Sequence, residues 1–216
     1  MPKVLLIDPA LVLLADAFRA LLPETVEVAA TATFDDEEFA RLAVDADVLI
    51  NARRPIDAAT LAMAPRARFV QLFGVGRDTV DVAATAAAGV VAAYNPGVNA
   101  VGVAEQTLML MLALIKRIPH SERLSRAGRF ATAELIGTGI GDLSGATVGL
   151  VGLGDIGRAV AERLVPFGPR VAYCAGTRRS ADVEAQLGLT WSPLPELLRT
   201  STSSACTSRL PRRLAT

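Results

Sequence analysis

The sequence predicts an α/β fold with parallel sheets, and three observations carry that prediction. Through the first hundred residues, short apolar runs rich in β-branched side chains alternate with stretches of helical periodicity. The alternation resumes after residue 145 around a glycine-rich turn. Hydrophobic residues make up 51% of the 216-residue chain against 20% charged, enough to fill one large core or two small ones.

The elements follow in order. "KVLLID" (3–8), "TVEVAA" (25–30), "DVLIN" (47–51), "RFVQLF" (68–73) and "GVVAAYN" (89–95) have the length and composition of strands. Between them "PALVLLADAFRALL", "FDDEEFARLAV", "DAATLAMA" and "DTVDVAATAAA" place apolar residues near helical spacing. Short connections between such runs argue for βαβ units. "NPGVN" (95–99) is a turn that opens a long helix over about 100–118. After a glycine-rich loop at 137–145 come a strand in "ATVGLVG", a helix in "DIGRAVAERLVPFG", a strand in "RVAYCAG", and short helices in "SADVEAQLG" and "SPLPELLRT". The last segment, "STSSACTSRLPRRLAT" (201–216), has no usable periodicity and is expected to be an aberrant tail.

Composition excludes several classes of function. Net charge is zero, with both signs interspersed, so there is no footprint for nucleic acid or an anionic membrane. One histidine, His120, and two cysteines, Cys174 and Cys206, form no metal-ligand spacing, so no metal is expected. Asp8 and Asp16 interrupt the first apolar stretch as a signal peptide would not allow. The run "LMLMLALI" (108–115) is far short of the ~20 residues of a membrane span and reads as a core or subunit-interface helix. A cytoplasmic protein with reduced thiols is the expectation.

Gly152-x-Gly154-x-x-Gly157 lies between a strand and a helix, the context in which this fingerprint binds a dinucleotide. Gly152 permits the tight turn, Gly154 lets backbone approach a pyrophosphate, and Gly157 allows close packing of helix on strand. Free N–H groups at the helix start then face the phosphates. The acid that usually holds the adenosine ribose belongs ~20 residues on. Ala175 stands there instead, followed by Arg178 and Arg179. An arginine there suits a 2′-phosphate, so the cofactor is NADP or NAD with a lean to NADP. The alternative is that both arginines are solvated loop residues. Upstream, "QLFGVGRDTVD" (71–81) ends a strand in Gly74-x-Gly76, whose N–H groups could capture a carboxylate or simply form a turn.

Four blocks in this order and spacing closely resemble the D-isomer-specific 2-hydroxyacid dehydrogenase family: G-x-G-x-D-x-x-D from Gly74, N-x-P-G-x-N around residues 95–99, V-A-E at 103–105, and L-x-G-x-T-V-G-x-x-G-x-G-x-I-G ending at Gly157. The second block is compressed here to "NPGVN", and Phe130 stands where the family usually has Trp. The resemblance spans roughly residues 40–200. It implies a flavodoxin-like N-terminal substrate domain and an NAD(P)-binding Rossmann domain. It further implies hydride transfer between NAD(P) and a D-2-hydroxy acid or 2-oxo acid, such as glyoxylate or hydroxypyruvate. By position, Val75 and Gly76 would offer N–H groups to a substrate carboxylate, Val103 would lie near the nicotinamide, and Asp155 and Ile156 would top the phosphate turn. The 100–118 helix would join a homodimer.

The same resemblance implies an Arg that binds the substrate carboxylate, a His acid/base and a Glu that tunes it, all well downstream of the fingerprint. No residue of this chain matches them, and His120 falls in a region without a catalytic role. The catalytic residues are expected beyond residue 216, and the chain itself is expected to be inactive. The expected domains are 1–99, the substrate domain's N-terminal part, and 100–200, an incomplete Rossmann domain whose β-sheet edge is left unpaired, with the tail at 201–216. A single lost base at the Ser201 codon converts a strand of the type D-V-V-S-L-H-V-P into S-T-S-S-A-C-T-S, so the tail reads as frameshifted; the alternative is a natural polar C-terminus. The competing functional reading is a catalytically dead remnant that binds nucleotide or dimerises.

Overall fold

A computed structural model of the chain describes residues 1–130 and 132–207. They form two units, Met1–Val98 and a second starting at Asn99, each with its own parallel sheet.

Unit 1 runs β1 (Lys3–Leu6), α1 (Ala15–Leu21), β2 (Glu27–Ala30), α2 (Asp36–Ala43), β3 (Val48–Asn51), α3 (Ala58–Met63), β4 (Phe69–Leu72), α4 (Val82–Ala87) and β5 (Val91–Ala93). The strand order is β2-β1-β3-β4-β5, all parallel, which is the flavodoxin-like order. Helices cover both faces, so the central strands are apolar throughout. Leu5, Leu49 and Val70 face Phe39 and Leu61, while Val4, Leu6 and Ile50 face Leu11 and Ala15. Aspartates start the helices: the side chains of Asp35, Asp57 and Asp81 accept the N–H groups of Glu38, Thr60 and Ala84 at 2.9–3.0 Å.

One expected helix differs. Residues 9–14 form a 3₁₀ turn, and α1 begins only at Ala15. Asp8 caps that turn by accepting the Ala10 N–H, and Pro9 at its start needs no acceptor.

Unit 2 runs α5 (Ala100–Ile115), α6 (Ile118–Arg126), α7 (Thr132–Thr138), β6 (Thr147–Val151), α8 (Asp155–Leu164), β7 (Arg170–Cys174), α9 (Ala181–Leu187), β8 (Leu189–Trp191), α10 (Leu194–Thr200) and β9 (Ser203–Cys206). The order β8-β7-β6-β9, all parallel, reproduces 3-2-1-4 of a dinucleotide-binding sheet. Ala104, Leu108 and Met111 of α5 share one core with Val160 and Leu164 of α8 and with Val148, Leu150 and Tyr173 of the sheet.

The helix expected over 100–118 is two helices. Arg117 takes a left-handed conformation (φ 53°) between α5 and α6. Pro119 has no N–H to continue the first helix, but fits the first turn of the next. Helix α7 and strand β8 were not expected from periodicity.

The tail also departs from expectation. Residues 203–206 are a strand, with Val148 opposite Ser203 and Val151 opposite Cys206, so β6 is paired on both sides. A β-ladder joins backbone groups and demands little of side chains. The ladder is flanked by the N–H bonds from Thr202 to the Thr147 carbonyl and from Thr207 to the Val151 carbonyl. The remainder of the tail, 208–216, lies outside the described residues.

Candidate cofactor site

In unit 2 the strand order reverses at β6, between β7 and β9, and ligands of doubly wound sheets bind at such a reversal beyond the carboxyl ends of the strands. The turn Gly152–Gly154 leaves β6 at that point and leads into α8. Gly152 has φ 102°, which L side chains rarely adopt, and its N–H donates to the Cys174 carbonyl at 2.7 Å. At Gly157 a Cβ would lie 2.4 Å from the Gly152 carbonyl oxygen and 2.8 Å from the Thr207 hydroxyl. The helix therefore touches the turn at its third glycine.

Gly154 is different. It is exposed, a Cβ there would meet nothing within 4 Å, and it caps α8 without any side-chain acceptor. Among the described residues the N–H groups of Leu153 and Gly154 have no acceptor. Asp155, exposed in the first turn, and Ile156, packed against the core, complete the helix start. This combination of a tight, filled contact at Gly157 and open, donor-lined space at Gly154 fits a pyrophosphate.

Beside the turn is a cavity of about 260 Å³ lined by Leu153, Gly154, Asp155, Arg158, Arg179, Val183 and Leu187. Of the residues singled out in the sequence, it brings Gly154, Asp155 and Arg179 together. The Arg179 N–H donates to the Tyr173 hydroxyl at 2.7 Å, and its guanidinium donates to the Leu153 carbonyl. Ala175 follows β7 and packs on the core. Arg178 does not line the cavity. It makes two 2.9 Å hydrogen bonds to Glu184 and lies over the Trp191 ring at 5.9 Å. Those bonds, with a third from the Tyr173 hydroxyl at 2.8 Å, hold the Glu184 carboxyl down to about 2. Burial, chiefly, raises the Tyr173 hydroxyl.

Val103 is half-buried on α5, its carbonyl accepting the Thr107 hydroxyl at 2.7 Å. His120 lies on α6, against Arg123 at 2.9 Å and Glu134 at 3.2 Å, in a surface charge cluster. Among the described residues no group of His, Cys, Asp and Glu could hold a metal, and no helix is long and apolar enough to cross a membrane.

Unit 1 holds the second candidate. Gly74 and Gly76 follow β4 and line a cavity of about 100 Å³ with Ala52, Leu72, Phe73, Asp78 and Thr79. The N–H groups of Val75 and Gly76 have no acceptor among the described residues, which leaves them available to a carboxylate. At the β1/β3 reversal sits a bidentate pair that the sequence reading missed: Arg53 donates to both oxygens of fully buried Asp8 at 2.8 and 3.0 Å. That bond holds the Asp8 carboxyl below its usual range. Arg158, Tyr173, Glu184 and Thr207 were missed as well. Of these, only Arg158, next to Gly157, stood in the motif itself.

Residues 108–211 match the model of the D-isomer specific 2-hydroxyacid dehydrogenase family's NAD binding domain. The chain is 36% identical over 159 residues to glyoxylate reductase of Korarchaeum cryptofilum, covering 73% of this chain and 48% of that protein. It is 35% identical over 203 residues to D-3-phosphoglycerate dehydrogenase of Mycobacterium bovis, covering 92% and 36%. It thus spans less than half the length of these relatives. Among solved structures, Granulicella formate dehydrogenase superposes with TM-score 0.80 at 27% identity, covering 93% of this chain and 54% of that one. The holo form of Rhodotorula graminis D-mandelate dehydrogenase gives 0.81 at 25%, covering 98% and 67%.

Proposed function

We propose that this chain, which belongs to the D-isomer-specific 2-hydroxyacid dehydrogenase family, serves an NAD(P)-dependent oxidoreductase acting on a D-2-hydroxy acid or its 2-oxo acid, with glyoxylate and hydroxypyruvate the first substrates to try. The observation that carries the reading is the turn at the β6/β9 reversal, closed at Gly157 and open above Gly154. The bound nicotinamide would supply or accept the hydride. Gly152, Gly154, Asp155, Ile156 and Gly157 would hold its pyrophosphate, Ala175 and the arginines the adenosine ribose, and Val103 would face the nicotinamide. Val75 and Gly76 would bind the substrate carboxylate through their N–H groups. NADP is the favoured cofactor because no acid follows β7 before Asp182, while two arginines do. A cytoplasmic location and a homodimer through α5 belong to the same proposal; the exposure of Val101, Met109, Leu110 and Leu114, each half or more, supports the second.

The second reading, a nucleotide-binding or dimerising chain without turnover, is supported by the exposed apolar side chains of α5. Titration with NADPH and NADH, followed by an assay of glyoxylate and hydroxypyruvate reduction, separates the two. Binding with turnover supports the oxidoreductase, binding alone supports the second reading, and no binding of either cofactor overturns both cofactor assignments.

A further inference from the structure

We propose that Arg179, flanked by Arg158, reads the cofactor's 2′-phosphate, and that Glu184 withholds Arg178 from it. The inference rests on the NADP reading above and divides between two adjacent arginines a role that the sequence leaves shared.

Three observations separate them. First, the cavity beside the phosphate turn is lined by Arg158 and Arg179, with Asp155 the one carboxylate in its lining, so cations outnumber acids there two to one. Second, Arg178 is already neutralised. Both of its bonds go to Glu184, whose side chain is only 12% exposed, and its guanidinium lies over Trp191, directed toward α9 and β8. The Arg178 side chain is 62% exposed, and it is the bidentate, charge-assisted geometry that engages its guanidinium. Third, the Arg179 main chain is pinned. Buried Tyr173 accepts the Arg179 N–H and donates to Glu184, so one phenol sets the loop and braces the carboxylate that occupies Arg178. The Arg179 guanidinium is held by the Leu153 carbonyl of the turn itself, and no carboxylate is paired with it among the described residues. A dianionic phosphate in this cavity would meet a positioned guanidinium whose charge is not yet compensated. Arg158, paired at the surface with Glu162, lines the same cavity from α8.

Equilibrium binding of NADP⁺ and NAD⁺ to the chain tests this directly, by calorimetry and by the emission of Trp191, the single tryptophan. Arg179→Gln should weaken NADP⁺ about tenfold, the worth of one charge-assisted contact, and leave NAD⁺ within about twofold. Arg179→Lys should retain part of the preference, and Arg178→Gln should change the NADP⁺/NAD⁺ ratio by less than about twofold. Glu184→Gln, which releases Arg178, should raise NADP⁺ affinity by roughly threefold or more. Arg179 is exposed, so its variants test recognition and not folding. If the wild type prefers NADP⁺ and Arg178→Gln removes the preference while Arg179→Gln does not, the assignment is overturned and the NADP reading stands. If Glu184→Gln leaves NADP⁺ affinity unchanged, Glu184 does not restrain Arg178. If the wild type binds NAD⁺ more tightly, the NADP reading fails and this assignment with it.

Discussion

Replacing Gly157 with alanine should unfold unit 2 more easily and abolish cofactor binding, whereas the same change at Gly154 should weaken binding at a smaller cost in stability. At 157 the new Cβ lies 2.4 Å from the Gly152 carbonyl oxygen and 3.2 Å from the Gly152 carbonyl carbon, atoms of a turn already held at φ 102°. The Thr207 hydroxyl, at 2.8 Å, can rotate, but the carbonyl cannot. Overpacking against such a wall costs about 3 kcal/mol, and the better helix propensity of alanine returns at most about 1. The net loss of ~2 kcal/mol corresponds to roughly 10 °C in the melting temperature of a domain of this size. At 154 a Cβ meets no atom, and the cost is the few tenths to ~1 kcal/mol of a poorer helix cap. That Cβ does occupy the space a pyrophosphate would need, so nucleotide affinity should fall at least about tenfold. Trp191, the sole tryptophan, reports the melting of unit 2 separately from unit 1, and calorimetry reports the affinity. A Gly157→Ala variant melting at or above the wild-type temperature, or a Gly154→Ala variant with undiminished nucleotide affinity, would refute this reasoning.

The Glu184 carboxyl, held to about 2 against an ordinary 4.5, adds stability that is complete above about pH 5 and is lost as pH falls toward 2. Acid titration of the Trp191 melting temperature should show this slope, and Glu184→Gln should flatten it; an unchanged slope would exclude the group. In unit 1, Arg53→Ala leaves the fully buried Asp8 carboxylate with backbone N–H groups as its remaining donors, that of Ala10 among them, and should lower the urea midpoint followed by circular dichroism. Asp8→Ala should cost less, because Arg53 is 62% exposed and its freed guanidinium is hydrated; equal losses would mean that Asp8 is not buried as described. Leu110→Glu combined with Leu114→Glu, at positions 50% and 70% exposed, should convert a dimer to a monomer in sedimentation while leaving the far-ultraviolet circular dichroism of the folded chain unchanged. A monomeric wild type would remove α5 as the interface.

Much of the molecule was legible from neighbouring residues alone. The five strands of unit 1 and strands β6 and β7 stand inside the apolar runs that named them; for central β1 and β3 the reason is burial on both faces, which needs a continuous hydrophobic segment. The glycine turn after β6 was legible because Gly152 and Gly157 meet constraints set within six residues: a positive φ, and a helix returning onto its own turn. The break at Arg117 was written two residues away in Pro119, yet the apolar periodicity of 100–118 masked it. Strand β8 is three residues long, too short for any periodicity to register.

The sequence by itself determined the alternation of elements, the glycine turn and the family resemblance, since each depends on spacing along the chain. Tertiary structure alone decided which arginine faces the cavity, because Glu184 reaches Arg178 from the next helix and Tyr173, from the strand before, reaches Glu184 and the Arg179 N–H. It alone paired Asp8 with Arg53 across 45 residues. It alone made a strand of "SSAC", since the template is the unpaired edge of β6, more than fifty residues earlier. A hydrogen bond or ion pair forms with whatever group the fold brings within 3 Å, and sequence spacing carries no record of that distance.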